Sequence, residues 1–269
     1  MQINGIELHV VDEGVGTPVV LLHGFPDSSY LWRHQVAALT GAGFRTVAPD
    51  LRGFGASSKP QDVESYQLQH ILADVVAMMD ELQIERAHVV GHDWGAFAAW
   101  MLAAFFPHRV DRLVAVSVGH PSTFGSLPVE QNEKSWYMLL FQFAEAEQLL
   151  QANDWALLRK LLRECGDFER YIRDLSRPGA LTAALNWYRA LVHPRMRLAA
   201  MPSLPKVAAP AMGIWSDGDY HLIEDGMKDS GKHVTGPWRY ERIDGASHWV
   251  PVDAPERLNE LLLKFLAKE

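Results

Sequence analysis

The feature that most restricts the fold of this chain is a repeated alternation of short apolar runs with segments of helical spacing. The runs are continuous rather than alternately polar, which is typical of strands buried on both faces. They lie at 18–24, 44–50, 87–91, 112–118, 210–217 and 239–244, and the helical segments lie at 30–42, 67–83, 95–106 and from 255 onward. Strands that alternate with helices form right-handed crossovers, so the pattern predicts an α/β fold with a mostly parallel sheet covered by helices.

The alternation stops between residues 122 and 200, where the pattern is helical and rich in aromatic residues. We therefore expect a core domain at 1–121 and 201–269, interrupted by a helical insert at 122–200. Open α/β sheets bind ligands at the carboxyl ends of their strands, and an insert between two strands tends to lie there. The insert is thus expected to act as a lid, or cap. A hairpin turn at Asn4-Gly5 is predicted to precede the core.

The composition limits the partners of the protein. Of the 269 residues, 25 are Lys or Arg and 33 are Asp or Glu. The resulting net charge of −8 argues against a nucleic-acid partner. The same charge favours neutral over anionic substrates. The single cysteine, Cys165, excludes a disulfide framework and fits a reducing compartment. No segment reaches the ~20 unbroken apolar residues of a membrane helix, so we expect a cytoplasmic protein with no membrane partner.

The sharpest local signal is VVGHDWGAFAAW at 89–100, where a predicted strand runs directly into a helix. In this arrangement two glycines permit a sharp turn that lifts the residue between them above the sheet. That residue is usually serine, but here it is Asp93. A carboxylate that attacks an ester carbonyl gives an anhydride, whereas attack on a saturated carbon gives an alkyl ester that a second step can hydrolyse. Asp93 therefore predicts displacement at the carbon of an epoxide or an alkyl halide.

Hydrolysis of an aspartyl ester needs a base and a group that orients the base. His248, in DGASHWV, follows the last predicted strand, and Asp219 follows the preceding one. The chain order Asp93, Asp219, His248 is the nucleophile–acid–histidine order of α/β-hydrolases. Asp219 is expected to hold the imidazole tautomer and stabilise the imidazolium. Asp217 lies two residues away and is the alternative acid.

Backbone donors for the oxyanion are predicted at two positions. They are the N–H of Phe25, in LLHGFPD after a core strand, and the N–H of Trp94. The side chains of Phe25, Trp94 and Trp249 are predicted to line the substrate pocket. This chemistry requires no metal and no other cofactor. The spacing Asp217-x-Asp219-x-His221 superficially resembles a calcium loop, but the glycine and glutamate that such a loop needs are missing.

The leaving group decides which reaction the aspartate performs. A departing halide needs only N–H donors, whereas an opening epoxide develops an alkoxide and needs a proton donor. Tyrosine suits this task because its pKa of about 10 keeps it protonated at neutral pH. The insert supplies Tyr137, in SWYMLLFQF, and Tyr188, in LNWYRA. Aromatic residues in a helical insert are more often part of a core, so from the residues alone both interpretations stay open.

The chain is similar over nearly its whole length to the soluble-type epoxide hydrolases of the α/β-hydrolase fold. The matching stretches are HGFPDSSYLWRHQ, PDLRGFGASS, GHDWG, SWYMLLFQFAEAE, LNWYR and SHW. The resemblance implies that Tyr137 and Tyr188 polarise the epoxide oxygen. It also implies that Asp93 is the nucleophile, His248 the base and Asp219 the acid. The expected substrates are a small apolar epoxide and water, the product is a vicinal diol, and the protein is expected to be a monomer or homodimer.

Two other functions fit parts of the pattern. HGFP and GHDWG also occur in related haloalkane dehalogenases, and the Trp94 indole could cradle a halide. However, Phe25 stands where a dehalogenase is expected to carry an amide side chain as a halide donor. A non-catalytic ligand receptor of the same fold is the third hypothesis, since a fold does not determine function.

Overall fold

The structure, a computed structural model, describes residues 1–126, 128–163, 167–194 and 204–267. Its strands are β1 (Gln2–Ile3), β2 (Ile6–Glu7), β3 (Val10–Glu13), β4 (Thr17–Leu22), β5 (Phe44–Pro49), β6 (Ala87–His92), β7 (Val110–Val116), β8 (Ala211–Ser216) and β9 (Trp238–Ile243). The last seven form one sheet in the order β3-β5-β4-β6-β7-β8-β9. All neighbours pair in parallel except β3, which runs antiparallel to β5. The predicted α/β fold with a mostly parallel sheet is confirmed.

Helices separate and follow these strands. They are α1 (Arg33–Gly41), α2 (Leu68–Glu81), α3 (Trp94–Phe105), α4 (Val129–Lys134), α5 (Tyr137–Leu140), α6 (Ala146–Leu162), α7 (Phe168–Leu175), α8 (Ala180–Leu191), α9 (Glu224–Asp229), α10 (Val250–Asp253) and α11 (Pro255–Leu266). Helix α3 packs on β6 and β7, and α1 packs on β5 and α11. Helices α4 to α8 lie between β7 and β8 in the chain, where the insert was expected. Cys165 and the predicted boundary at residues 200–201 lie outside the described residues.

The central strands are apolar because both of their faces are covered. Every residue of β6 is buried, and residues 19–22 of β4 are fully inaccessible to solvent. Such strands carry no polar face, and this is why continuous apolar runs revealed them in the sequence. The hairpin of β1 and β2 also forms as predicted, with Asn4 and Gly5 both at positive φ in the turn.

Two elements were not anticipated. Strand β3 is a short edge strand with no fully buried residue, so its sequence lacks an apolar run. Helix α9 has only six residues and buries two of them, which leaves little helical periodicity.

The insert rests on the loops that follow β4 and β5. Trp187 of α8 donates its indole N–H to the carbonyl oxygen of Arg52 at 3.0 Å. Arg52 is itself fixed by a buried ion pair with Asp74 of α2, with a separation of 2.6 Å. Phe141, which follows α5, packs against Phe25 with ring centroids 5.7 Å apart. These contacts bring two residues of the insert to the loops at the carboxyl ends of β4 and β5.

Gly95 allows α3 to approach β4 closely, and this predicts a specific effect on stability. A Cβ atom at Gly95 would lie 1.9 Å from the carbonyl oxygen of Leu22. We expect Gly95→Ala to reduce the free energy of unfolding by about 2 kcal/mol or more, because overpacking forces the backbone to shift. Gly41→Ala is the control, since a Cβ there meets nothing within 4 Å, and it should stabilise the protein by about 0.5 kcal/mol. Urea denaturation of both variants is the test, and equal effects would contradict the prediction.

Candidate active site

Asp93 occupies the sharp turn between β6 and α3. Its backbone has φ 52° and ψ −121°, a conformation that is costly for any residue other than glycine. The glycines around it are necessary for the turn. A Cβ at Gly91 would lie 2.2 Å from the carbonyl oxygen of Gly95, and one at Gly24 would lie 2.3 Å from Asp93 Oδ1. The motif thus forms the predicted strand–turn–helix elbow, with a strained aspartate at its tip.

The Asp93 carboxylate is held from two sides. The backbone N–H of Phe25 donates to Oδ1 at 2.8 Å, and His248 Nε2 lies 3.6 Å from Oδ2. Burial opposes the charged form of this carboxyl group, but the charge of the His248 imidazolium and the backbone N–H of Trp94 outweigh it. Together they hold the pKa of Asp93 below its ordinary value. Asp93 is therefore an ionised, preorganised carboxylate.

His248 is oriented by Asp219 and not by Asp217. The distance from His248 Nδ1 to Asp219 Oδ2 is 2.8 Å. The other oxygen of Asp219 accepts the backbone N–H groups of His221 and Leu222 at 2.7 and 2.9 Å. Asp217 is turned to the surface, where it accepts the backbone N–H of Gly245. The buried side chain of Asp219 is thus the one that the fold brings to the imidazole.

Only one of three adjacent histidines is strongly basic. Burial alone would lower the pKa of His248, but the charges of Asp219 and Asp93 outweigh it and raise that pKa to about 10. The rings of His92 and His221 lie 4.8 and 5.3 Å from the His248 ring. Burial, followed by repulsion from His248, lowers the pKa of each of these two to about 4. At neutral pH the site therefore holds one imidazolium between two carboxylates.

Tyr137 and Tyr188 line the same inner cavity as Asp93 and His248. Both tyrosines are buried, and their rings lie 5.9 Å apart in an edge-to-face arrangement. Burial, together with the nearby charge of Asp93, raises the pKa of Tyr188 well above 10. Tyr188 therefore keeps its proton at neutral pH.

Two adjoining cavities lead to the carboxylate. The inner cavity, here called the chamber, has a volume of about 20 Å³, and a wider cleft outside it has about 720 Å³. Leu162, His221, His248 and Trp249 line both spaces. The chamber is little larger than the roughly 10–15 Å³ that one water needs, so an epoxide requires the lining side chains to move apart.

Of the three side chains predicted to line the substrate pocket, two line the chamber and one does not. Phe25 and Trp249 line the chamber. Trp94 lines neither cavity, because its indole lies behind Tyr188, with ring centroids 5.0 Å apart. Its side chain thus supports the tyrosine, while its backbone N–H is directed at Asp93.

Comparisons with known proteins agree with this geometry. Residues 17–255 match the model of the alpha/beta hydrolase fold family. The AB hydrolase superfamily protein YfhM of Bacillus subtilis is 37% identical, across 99% of this chain and 96% of that protein. Epoxide hydrolase A of Mycobacterium tuberculosis is 32% identical, across 98% of this chain and 95% of that protein. The crystal structure of the Bacillus megaterium epoxide hydrolase with an inhibitor has a TM-score of 0.91 and 29% identity, and the match covers 100% and 99% of the two chains.

The chain belongs to the α/β-hydrolase-fold epoxide hydrolases. The resemblance seen in the sequence is thereby confirmed.

Sequence reasoning missed two polar residues near the site of this epoxide hydrolase family member. His221 lines both cavities, although its sequence context suggested only a failed calcium loop. Asp27 accepts the indole N–H of Trp249 at 3.1 Å, and burial raises its pKa to about 8. The HGFPD stretch carried no signal for Asp27, because its burial follows from the folded loop after β4 and not from a sequence pattern.

Two further kinds of feature are absent from the described ranges of the chain. Within them, His, Cys, Asp and Glu side chains form no group of three or more that could hold a metal ion. No helix in these ranges is long and apolar enough to cross a membrane.

The geometry predicts that Asp219 controls the basicity of His248. Asp219→Asn keeps an oxygen for the backbone donors but removes the charge, so it should lower the pKa of His248. Asp217→Asn removes the same charge two residues away and should leave that pKa near its native value. NMR titration of the imidazole nitrogens measures both. Equal shifts in the two variants would contradict the assignment of the acid.

Proposed function

We propose that this protein hydrolyses epoxides to vicinal diols through a covalent ester on Asp93. The observation that carries the proposal is the composition of the chamber. An ionised carboxylate there has His248 Nε2 at 3.6 Å, and two buried tyrosines line the same space. A carboxylate nucleophile, a base and phenolic donors are the three parts that epoxide hydrolysis requires.

In the first step Tyr137 and Tyr188 donate hydrogen bonds to the epoxide oxygen. Asp93 attacks one ring carbon, the carbon–oxygen bond of the ring breaks, and a tyrosine gives its proton to the developing alkoxide. The ester that forms is neutral, so His248 loses one of the two carboxylate charges that raise its pKa. His248 then releases its proton, and this proton returns the tyrosinate to its neutral form.

In the second step the neutral His248, oriented by Asp219, deprotonates a water that attacks the carboxyl carbon of Asp93. The N–H groups of Phe25 and Trp94 stabilise the oxyanion. Collapse of this intermediate releases the diol and leaves one solvent oxygen in the carboxylate. In this mechanism the formation of the ester itself converts His248 from a cation into a base.

We propose that residues 122–200 form a cap domain on a core made of 1–121 and 201–269. The contacts of Trp187 and Phe141 with the loops after β4 and β5 support this division. The cap supplies both tyrosines, and the core supplies the charged residues. The substrates are a small apolar epoxide, which suits the aromatic walls of the chamber, and water. A cytoplasmic monomer or homodimer fits the single cysteine and the composition.

Haloalkane dehalogenation is less well supported. A leaving halide needs no proton, so it gives no reason for two tyrosine hydroxyls beside Asp93. Phe25 offers only its backbone N–H, and Trp94 lies behind Tyr188. A non-catalytic receptor would not need the charged arrangement of Asp93, His248 and Asp219.

His248→Gln should allow the ester to form but slow its hydrolysis by at least about 100-fold, because the general base is lost. Mass spectrometry of the peptide that contains Asp93 should then detect an adduct with the mass of the epoxide. Asp93→Asn is the control, since an amide cannot form the ester. Absence of an adduct in His248→Gln with an epoxide that the native protein hydrolyses would contradict the assignment of His248 as base.

Replacement of both Tyr137 and Tyr188 by Phe should reduce kcat for epoxides by about 100-fold or more, because the alkoxide loses its proton donors. Each single variant should retain part of the activity. Tyr240→Phe is the control, since its hydroxyl donates to Glu224 at 2.6 Å, away from the chamber. The rates of diol formation and of halide release from matched alkyl chlorides are both measured. Halide release faster than diol formation in the native protein would favour the dehalogenase.

A further inference from the structure

The imidazole of His221 lies where the cleft and the chamber adjoin. It lines both spaces, and the residue is otherwise buried. A water that moves from the cleft to Asp93 therefore passes this ring. Neither step of the proposed mechanism uses it.

The ring of His221 contacts one residue from each step of that mechanism. Its centroid lies 5.3 Å from that of His248 and 5.5 Å from that of Tyr137, and both pairs are edge-to-face. The Trp249 ring lies against it as well, at 5.9 Å. The imidazole of His221 is thus in contact with both the base and one of the phenolic donors.

The loop after β8 fixes His221 through its backbone and not through its side chain. Its N–H donates to Asp219 Oδ1 at 2.7 Å, and its carbonyl oxygen accepts the side-chain amide of Gln131 at 2.8 Å. Any residue other than proline supplies the same two groups. The loop therefore does not explain why this position carries a histidine, and the explanation lies in the ring itself.

The ring carries a hydrogen-bonding group that its neighbours do not satisfy. Within the described residues, Nδ1 is buried and has no hydrogen-bond partner. Burial, followed by repulsion from His248, lowers the pKa of His221 to about 4, so the ring is neutral at neutral pH and has one acceptor nitrogen. A buried polar group without a partner is unfavourable, and a bound water is a common way to satisfy it.

The second step of the reaction needs such a water. Among the described residues, the titratable side chains that line the chamber are those of Asp93, Tyr137, Tyr188, His221 and His248. After the first step Asp93 is an ester, both tyrosines bind the oxygen released from the ring, and His248 is the base. His221 is the member of this set that is still uncommitted. Since a buried water needs two to four polar partners, His221 is available as the second partner beside His248.

We propose that His221 binds the water that hydrolyses the ester on Asp93. The inference rests on the proposed function and adds a water-binding residue to its second step. The water donates one hydrogen to His248 Nε2 and the other to His221 Nδ1, which leaves an oxygen lone pair directed at the carboxyl carbon of the ester. As the new carbon–oxygen bond forms, the first hydrogen moves to His248 as a proton, and the second stays on the oxygen.

The two imidazoles have different tasks because only one of them is bound to a carboxylate. His248 Nδ1 lies 2.8 Å from Asp219 Oδ2, whereas the same atom of His221 has no hydrogen-bond partner within the described residues. The charge of Asp219 makes His248 the stronger base. His248 therefore takes the proton, and His221 orients the water.

His221→Phe and His221→Asn separate the hydrogen bond from the packing of the ring. The Phe variant keeps an aromatic ring but removes both nitrogens, so it should slow ester hydrolysis about tenfold or more, because the water loses its orientation. Ester formation should stay near its native rate. The Asn variant places an amide oxygen near the position of Nδ1 and should recover a large part of the lost rate. Single-turnover kinetics, with mass spectrometry of the peptide that contains Asp93, measures both steps.

His120→Phe is the matched control. His120 is also buried, its Nε2 also has no hydrogen-bond partner within the described residues, and burial lowers its pKa to about 4. However, it lines neither the chamber nor the cleft. This variant should keep the native rates of both steps. Equal slowing in His120→Phe and His221→Phe, or failure of His221→Asn to exceed His221→Phe, would overturn the proposal.

A measurement without turnover separates this inference from the proposed function. A high-resolution crystal structure of the native protein should show a water within hydrogen-bond distance of His221 Nδ1 and His248 Nε2, and His221→Phe should lack that water. If the native protein hydrolyses no epoxide, the proposed function is wrong, and this water still tests the role of His221. Absence of the water from the native protein, or native rates of ester hydrolysis in His221→Phe, would refute the assignment of His221.

Discussion

Two carboxylates and one imidazole are buried together at the carboxyl ends of the strands, and the balance of their charges underlies the rest of the site. Separate burial of each carboxylate would raise its pKa, yet the pKa values of Asp93 and Asp219 are both lowered. The cause is the proton on His248, whose pKa the two carboxylates raise in return. Loss of any one charge therefore changes the other two, which is the behaviour of coupled groups. His92 and His221 stay neutral because burial opposes their charged forms and a second imidazolium beside the first is unfavourable.

The parallel sheet is what makes this balance possible. The three charged residues follow β6, β8 and β9, and parallel strands end at the same edge, so residues distant in sequence converge there. The position of His248 is fixed further by its own carbonyl oxygen. That oxygen contacts His92 Nε2 and accepts the Ser117 hydroxyl, both at 2.9 Å. His92, the neutral histidine next to Asp93, thus helps to hold the backbone of His248 in place.

The sequence was sufficient for the parts of the fold and site that follow local rules. Strands buried on both faces leave apolar runs, and the elbow at Asp93 requires glycines at fixed positions. The choice between Asp217 and Asp219 was harder, because either could have been turned inward by the loop after β8. The two backbone N–H groups that bind Asp219 Oδ1 decide it, and their positions depend on the folded loop.

In the proposed mechanism the cap and the core contribute different chemistry, and the charge balance explains the division. A cationic donor from the cap near the epoxide oxygen would oppose the proton on His248 and lower its pKa before the ester forms. Tyrosine avoids this conflict because it donates a hydrogen bond while neutral, and burial beside Asp93 keeps Tyr188 protonated. Neutral donors from the cap therefore leave the charge balance among Asp93, His248 and Asp219 undisturbed.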